Sequence, residues 1–472
     1  MKHRILSLFL CLSMLVSLVL IPVHAEDNNA YVQEEFEIVG DWVWGETVYS
    51  LGAAKIVDRS YKMGVTDLYL LTKGTGGKLS YLKTQYTDAR ARTDRDVMQE
   101  LITAAHAKGI RVHAWLVTVE DAYYKSKHPT SGVNHYVRGQ DNDRINPYDA
   151  GYRTYMSNIV KEIVTGYDID GIHLDYIRYN HLANGWGAED FARVQQYGVT
   201  EAQVRYMINK TFYQDNLPAG ETVDADYAFN AYRNGDPVAV AIAKYRCGLI
   251  NDFATLLRDT AKAADPEILF TGALMPEGGV TYGKEDIAFG ALHYGQNYTD
   301  AAKIYDYICP MAYSASYEAE SQWMVDIAKY SVEVGNKVVM GLQSFSPLLT
   351  EKLMSDIEAV RALLPMEGVL GIAHFRHTQF SYAKTSYNYS TGSMTIDFIN
   401  ASESTAARWV KVTVPEGMKI TAAKVTSGFT SSASVSIASN GRSVTFGKTG
   451  SGTILSALGE GKLTLTDRKS VV

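Results

Sequence analysis

The sequence predicts an α/β fold, a (β/α)8 TIM barrel with long βα-loop insertions, followed by a small C-terminal all-β, sandwich-like domain. Three observations carry this. Between residues 38 and 385, short apolar runs alternate eight times with helical or loop-plus-helix segments, which favours parallel strands joined by right-handed crossovers. Beyond about Thr391 the composition turns to Ser, Thr and Gly with period-two apolar runs. The chain of 472 residues also exceeds what one hydrophobic core ordinarily holds, so a large domain with a smaller companion (391–472) is expected.

Taken in order, Ile38 to Trp44 reads as the first strand, and a helical pattern then runs to about Lys62 and stops at Gly64. Val65 to Leu71 is the second strand, followed by a loop with Gly74, Gly76 and Gly77 leading toward Arg92. From Asp94, Val97, Leu101, Ile102 and Ala105 recur at helical spacing until the Lys108-Gly109 stop. Ile110 to Val117 is the third strand. A long loop through Pro129 and Gly132 reaches Asn146-Pro147, and a helix runs from Asp149 to Gly166. The fourth strand is Asp170-Gly171-Ile172-His173-Leu174-Asp175, continuing into Tyr176-Ile177-Arg178-Tyr179. Its alternation puts Gly171, His173 and Asp175 on one face.

Residues from Asn180 to about Pro237 break the rhythm and read as an insertion over one end of the sheet. A helix from about Val238 to Ala264 restores it, and strand five, Ile268 to Leu274, runs directly into Met275-Pro276-Glu277-Gly278-Gly279. Strands six (Tyr307 to Tyr313), seven (Val338 to Gln343) and eight (Val369 to Phe375) are separated by helices over 318–334 and 351–364. A final helix over 379–387 is expected, although that stretch has few apolar repeats. In the C-terminal part Val410, Val412 and Val414 alternate, and Val435, Ile437, Val444 and Phe446 flank Asn440-Gly441, a two-residue hairpin signal.

At the start of the chain Lys2 and Arg4 precede an apolar run from Ile5 to Ile21 and then Val23-His24-Ala25, the pattern of a cleaved signal peptide over residues 1–25. This places the protein outside the cell or in the cell envelope, with no membrane span after cleavage. An uncleaved N-terminal anchor is the alternative. Loss of Lys2 and Arg4 with the leader takes the formal net charge from −7 to −9, which gives nucleic acid nothing to bind. The mature chain keeps only Cys247 and Cys309, too few for a disulfide framework. The 32 tyrosines are a heavy aromatic load, for core packing or for stacking on sugars.

In a barrel of this kind the chemistry sits at the C-terminal ends of the strands. Asp175 ends strand four and Glu277 follows strand five, so two carboxylates on adjacent strands stand among Trp and Tyr. Glycosidic bond cleavage needs such a set: one carboxylic acid protonates the leaving oxygen, one carboxylate attacks or activates water, and aromatic faces hold the ring. Asp175 is assigned as nucleophile or charge stabiliser, its alternative being an ion-paired strand end with Arg178. Glu277 is assigned as general acid, its alternative being an exposed loop carboxylate. His173 is either a satisfied interior histidine or a sugar contact. Trp44, Trp115 and Trp186 are stacking candidates against core packing, and Tyr313, His374 and Arg178 are further candidate substrate contacts, the alternatives being an ordinary barrel-mouth tyrosine for Tyr313 and a core histidine for His374. The histidines stand isolated on separate strands, without a His-Glu-x-x-His run, so no metal and no cofactor is expected. There is neither a Gly-x-Ser-x-Gly elbow nor a phosphate loop.

The run Ala105-His106-Ala107-Lys108-Gly109-Ile110-Arg111-Val112-His113-Ala114-Trp115-Leu116, the Asn146-Pro147 pair, Asp170 to Tyr179, and Ile308-Cys309-Pro310-Met311-Ala312-Tyr313 together resemble the glycosyl hydrolase-like 10 family. The resemblance covers about Val39 to Arg376. It implies a (β/α)8 barrel acting on glycan chains, peptidoglycan strands among them, with Asp175 at the family's strand-four position. Val117-Thr118 and Met275-Pro276 depart from the family's usual Asn-Pro and Ser-Pro. The expected function is a secreted glycoside hydrolase. The competing one is a catalytically silent glycan-binding or scaffolding protein of the cell envelope.

Overall fold

A computed structural model describes residues 35–467 except 87–88, 92–93, 346–349, 378–379, 389–391, 401–408, 415–418, 431–433, 448–452 and 456–458, together with two N-terminal strands. Eight parallel strands close a barrel in sequence order: β1 (Ile38–Trp44), β2 (Asp67–Lys73), β3 (Arg111–Val117), β4 (Gly171–Asp175), β5 (Leu269–Leu274), β6 (Tyr307–Pro310), β7 (Val338–Gln343) and β8 (Val369–Phe375). β8 pairs back onto β1 with Gly371 opposite Ile38 and His374 opposite Asp41. The crossovers are α1 (Gly45–Leu51) and α2 (Ala53–Lys62), α3 (Val97–His106), α4 (Ala150–Gly166), α5 (Pro237–Ala264), α6 (Ser321–Glu333) and α7 (Thr350–Arg361). The single helix expected after β1 is broken in two at Gly52, whose φ of +86° suits glycine and interrupts the helical hydrogen bonding.

Alternation sorts the strand residues into two layers. Val43, Leu68, Leu70, Val112, Ala114, Leu116, Ile172 and Leu174 face outward and join the helices in the main apolar core. Trp42, Tyr69, Trp115, Ala273, Tyr307, Cys309 and Ala373 fill the interior. Near the N-terminal end of the barrel, Asp67 accepts Nε and Nη2 of Arg111, both at 2.8 Å, and pairs with His113 Nε2 at 2.7 Å. Burial opposes the Asp67 charge, but His113 and Arg111 overcome it and hold the carboxyl at about 2.

The loop after β3 is more ordered than expected. It forms a short helix, Ala122–Lys127, and a hairpin of Gly132–His135 with Gly139–Ile145. Its base is tied to β2 by an ion pair between Lys73 and Asp121 at 3.0 Å, both fully buried. The insertion after β4 forms helices Ala188–Val194, Glu201–Phe212 and Tyr227–Arg233, which share a second apolar core with the first half of α5. Buried Arg246 of α5 donates to the carbonyls of Asn184 (2.7 Å), His181 (3.0 Å) and His293 (2.9 Å), locking the insertion onto the segment after β5.

The helix expected over 379–387 is replaced by a strand, β9 (Phe380–Asn388); Gln379 itself lies outside the described residues. Without a helical apolar stripe, this stretch takes its backbone partners from β10 (Ser393–Ile399), with Thr385 opposite Ile396. β11 (Trp409–Thr413), β12 (Ile420–Ser427), β13 (Val435–Ile437), β14 (Ser443–Gly447) and β15 (Glu460–Asp467) complete two sheets. Ile396, Phe398, Val410, Val412, Val444, Phe446, Leu463 and Leu465 pack between them. Asn440-Gly441 lies in a longer loop than the two-residue turn expected, since the last paired residues are Ile437 and Val444.

The N-terminal apolar run contributes two edge strands. Cys11–Ser13 is antiparallel to β11, and Ser17–Ile21 is parallel to β9. Lys2, Arg4, Val23-His24-Ala25 and Arg92 lie outside the described residues. Among the described residues no helix is long and apolar enough to cross a membrane.

Candidate active site

Asp175 is the last residue of β4, 4% exposed, and its carboxylate is held from several sides. Oδ2 accepts the indole N–H of Trp115 at 3.1 Å, from the neighbouring strand β3. Oδ1 accepts the backbone N–H of Tyr176 at 2.6 Å and faces Arg178 Nη1 at 3.4 Å. That backbone contact comes with a φ of +53° at Tyr176, a left-handed conformation that a tyrosine rarely adopts and that recurs at functional sites. The turn brings the Arg178 guanidinium back over the Tyr176 ring, 4.4 Å from its centre. Burial pushes the Asp175 carboxyl above its usual range, and Arg178, Tyr176 N–H and Trp115 pull against that shift.

Glu277 is not an exposed loop carboxylate. It sits in the turn Pro276–Gly279 directly after β5 and is 2% exposed. Gly278 makes that turn possible: a Cβ there would lie 2.4 Å from Cε1 of Tyr298, so the chain approaches the ring as only glycine can. Oε1 accepts the Tyr317 hydroxyl at 2.9 Å and the Tyr294 hydroxyl at 3.4 Å. Oε2 is buried and meets no hydrogen-bond partner among the described residues. Desolvation dominates and raises the Glu277 carboxyl to about 7, against the donors around it, with the exposed Glu285 raising it further and Arg178 lowering it.

β4 and β5 are hydrogen-bonded neighbours, and the loops that follow them are joined by the Tyr179 N–H donating to the Tyr294 carbonyl at 3.0 Å. The charge of Arg178 reaches both acids and favours ionisation of each. Across the mouth, Tyr313 is half-buried and stacks on Phe375 at 5.7 Å, with Phe345 edge-on to both rings. Asp175 and burial both push the Tyr313 hydroxyl well up, so the phenol stays protonated beside the carboxylate. Trp44, at the end of β1, is 39% exposed, and Arg376 lies 3.5 Å over its ring. Asp175, Glu277, Arg178, Tyr313 and Trp44 thus share the C-terminal rim of the barrel.

Four of the candidate substrate contacts are buried. Trp115 is 4% exposed and spends its N–H on Asp175, so it orients that carboxylate rather than stacking on a sugar. Trp186 is 3% exposed in the core of the insertion, with its N–H on the Leu182 carbonyl at 2.6 Å. His173 is fully buried. Its Nε2 accepts from Trp42 at 3.2 Å, so in the neutral ring, which burial enforces, Nδ1 carries the hydrogen and donates to Thr271 at 2.8 Å. His374 faces outward with Leu342 and Leu68, in the layer under the helices, and burial lowers it to about 4.

Tyr317, Tyr294 and the Tyr176 turn were not found from the sequence. Glu120 and Asp121, carboxylates beyond strand three, are occupied by Arg144 at 2.6 Å and Lys73 at 3.0 Å. Among the described residues no group of three or more His, Cys, Asp or Glu is arranged to hold a metal ion.

Among solved structures, the PgaB (BpsB) glycoside hydrolase domain from Bordetella bronchiseptica superposes with a TM-score of 0.54 at 17% identity, covering 72% of this chain and 94% of that one. A β-galactosidase from Marinomonas ef1 aligns at TM-score 0.48 and 10% identity, over 72% of this chain and 54% of the other. The likeness to the Bordetella domain is one of fold. No curated protein matches the sequence. The sequence model of the glycosyl hydrolase-like 10 family matches residues 77–344, more than half of the chain and the span from the loop after β2 to the end of β7. With the barrel closed and both acids on its C-terminal rim, the chain belongs to the glycosyl hydrolase-like 10 family.

Proposed function

We propose that the protein is an exported glycoside hydrolase that cleaves O-glycosidic bonds in a polysaccharide or in peptidoglycan glycan strands. The observation that carries this reading is the contrast between two carboxyls on adjacent strands. Asp175 receives an indole N–H, a backbone N–H and a guanidinium, all of which favour its charge. Glu277 receives two phenols and its own backbone N–H, no cation within hydrogen-bonding distance among the described residues, and keeps Oε2 unpartnered in a buried turn. Environments that separate two acids in this way assign the acid and the base.

In this reading Glu277 Oε2 gives its proton to the glycosidic oxygen as the C–O bond breaks. Asp175 either attacks the anomeric carbon or stabilises the positive charge that develops there, and water completes the hydrolysis as Glu277 takes a proton back. The ring is held against Tyr313 and Trp44, with Arg178 keeping Asp175 aligned. Export rests on the leader pattern of residues 1–25.

The test is release of reducing ends from a panel of glycans, peptidoglycan strands included, by wild type, Asp175→Asn and Glu277→Gln. Cleavage by wild type with a loss of at least a hundredfold in each variant is expected. Equal activity in all three sinks the assignment, and binding without cleavage by wild type favours a glycan-binding scaffold.

A further inference from the structure

The turn after β6, Tyr313-Ser314-Ala315-Ser316-Tyr317-Glu318, presents a phenol toward each carboxyl of the site, and it is anchored far more firmly than a surface loop requires. Ser314 Oγ donates to Asp356 Oδ2 of α7 at 2.5 Å, and Ser321 Oγ donates to the other oxygen of the same buried carboxylate at 2.6 Å. Ser316 gives both its backbone N–H and its hydroxyl to Gln343 Oε1 at the end of β7, each at 3.0 Å. The Tyr317 N–H returns to the Tyr313 carbonyl at 3.1 Å, and the Tyr317 ring packs on Trp323 at 4.9 Å. Glu318 then takes a φ of +51°, a second non-glycine residue in the left-handed region, and it directs the chain out of the turn.

We infer that Tyr317 is the positioning residue of Glu277: its anchored hydroxyl holds Oε1 as an acceptor, so that the transferable proton stays on Oε2. This rests on the reading of Glu277 as the acid. The groups facing Glu277 are Tyr294 and Tyr298 from the segment after β5, Tyr317 after β6, Glu285 on the loop after β5, and Arg178 after β4. The Tyr298 hydroxyl is committed to the Met275 carbonyl at 2.9 Å, and Tyr294 is longer at 3.4 Å. Besides the backbone N–H of Glu277 itself, Tyr317, at 2.9 Å, is therefore the closest side-chain donor to the carboxyl, and it also favours the ionised form. Removing it frees either oxygen to carry the proton and makes the proton harder to lose.

The experiment titrates the Glu277 carboxyl directly, by the infrared carboxylic C=O band that disappears in Glu277→Gln, in wild type, Tyr317→Phe and Ser316→Ala. No substrate is needed. Tyr317→Phe keeps the ring on Trp323 and is expected to raise the midpoint by about one pH unit, a tenfold gain in proton affinity. On whichever glycan responds, its kcat should fall about tenfold with KM unchanged. Ser316→Ala loosens the turn but leaves the phenol, and a smaller shift in the same direction is expected. A midpoint equal to wild type in both variants overturns the inference, even where Glu277→Gln abolishes glycan cleavage and the hydrolase reading stands. The expected shift in a protein that cleaves no glycan supports the positioning role and rejects the hydrolase reading instead.

Discussion

The two acids differ in what surrounds them, and that difference has consequences at single residues. Trp115→Phe keeps an aromatic ring against Phe375 and removes one N–H from Asp175. A hydrogen bond to a charged acceptor is worth about 1.5–3 kcal/mol, and its loss favours the protonated carboxyl. Asp175 must be ionised to act, so activity disappears as pH falls through its pKa, and Trp115→Phe should move that acid limb upward by about one unit in a pH–rate profile. An unmoved limb would mean that the indole merely packs. Asp175 and His173 were legible as residues of one face because β4 alternates cleanly. The side of the strand on which His374 lies was not legible, because β8 is apolar on both faces and alternation cannot say which is the interior. Trp186 stayed open between stacking and packing for a related reason: a Trp between two glycines looks alike whether it lines a cleft or fills an insertion's core.

At the scale of elements, the site depends on turns more than on strands. The Pro276–Gly279 turn carries Glu277 into burial because Gly278 and Gly279 let the backbone rest on Tyr298 and Ile327. Gly278→Ala drives a methyl into the Tyr298 ring, and overpacking of this kind costs about 1–3 kcal/mol. A lower denaturation midpoint is expected, along with an activity loss larger than the stability loss explains, since the acid shifts with its turn. A variant as stable and active as wild type would show that the turn tolerates displacement. The sequence announced this turn through Pro276 and its glycines. It gave no sign of the turn after β6, whose anchors Gln343 and Asp356 come from distant segments and meet Ser314 and Ser316 only in the folded chain. The strand β9 was missed because propensity was weak there and the pairing partner, β10, decided the outcome.

At the scale of the whole molecule, the barrel was legible because eight parallel strands leave a long, regular rhythm, and the Asn180–Pro237 interruption marked the insertion that covers one side of the mouth. The buried Lys73–Asp121 pair and the Arg246 clasp then fix the long loops over the rim, so that Asp175 and Glu277 are both removed from water. Burial on this scale raises Glu277 to about 7, while at Asp175 the same burial is opposed by Arg178, the Tyr176 N–H and Trp115. A general acid works only while it holds its proton, so cleavage must weaken as pH rises through that value. The most direct measurement is the rate of reducing-end release between pH 4 and 9, for wild type and Glu277→Gln on the same glycan. The wild-type rate is expected to fall about tenfold for each unit above pH 7, and the variant is expected to lose that limb together with most of its activity. A wild-type rate that stays level to pH 9, or a Glu277→Gln protein with the wild-type rate and profile, contradicts Glu277 as the proton donor.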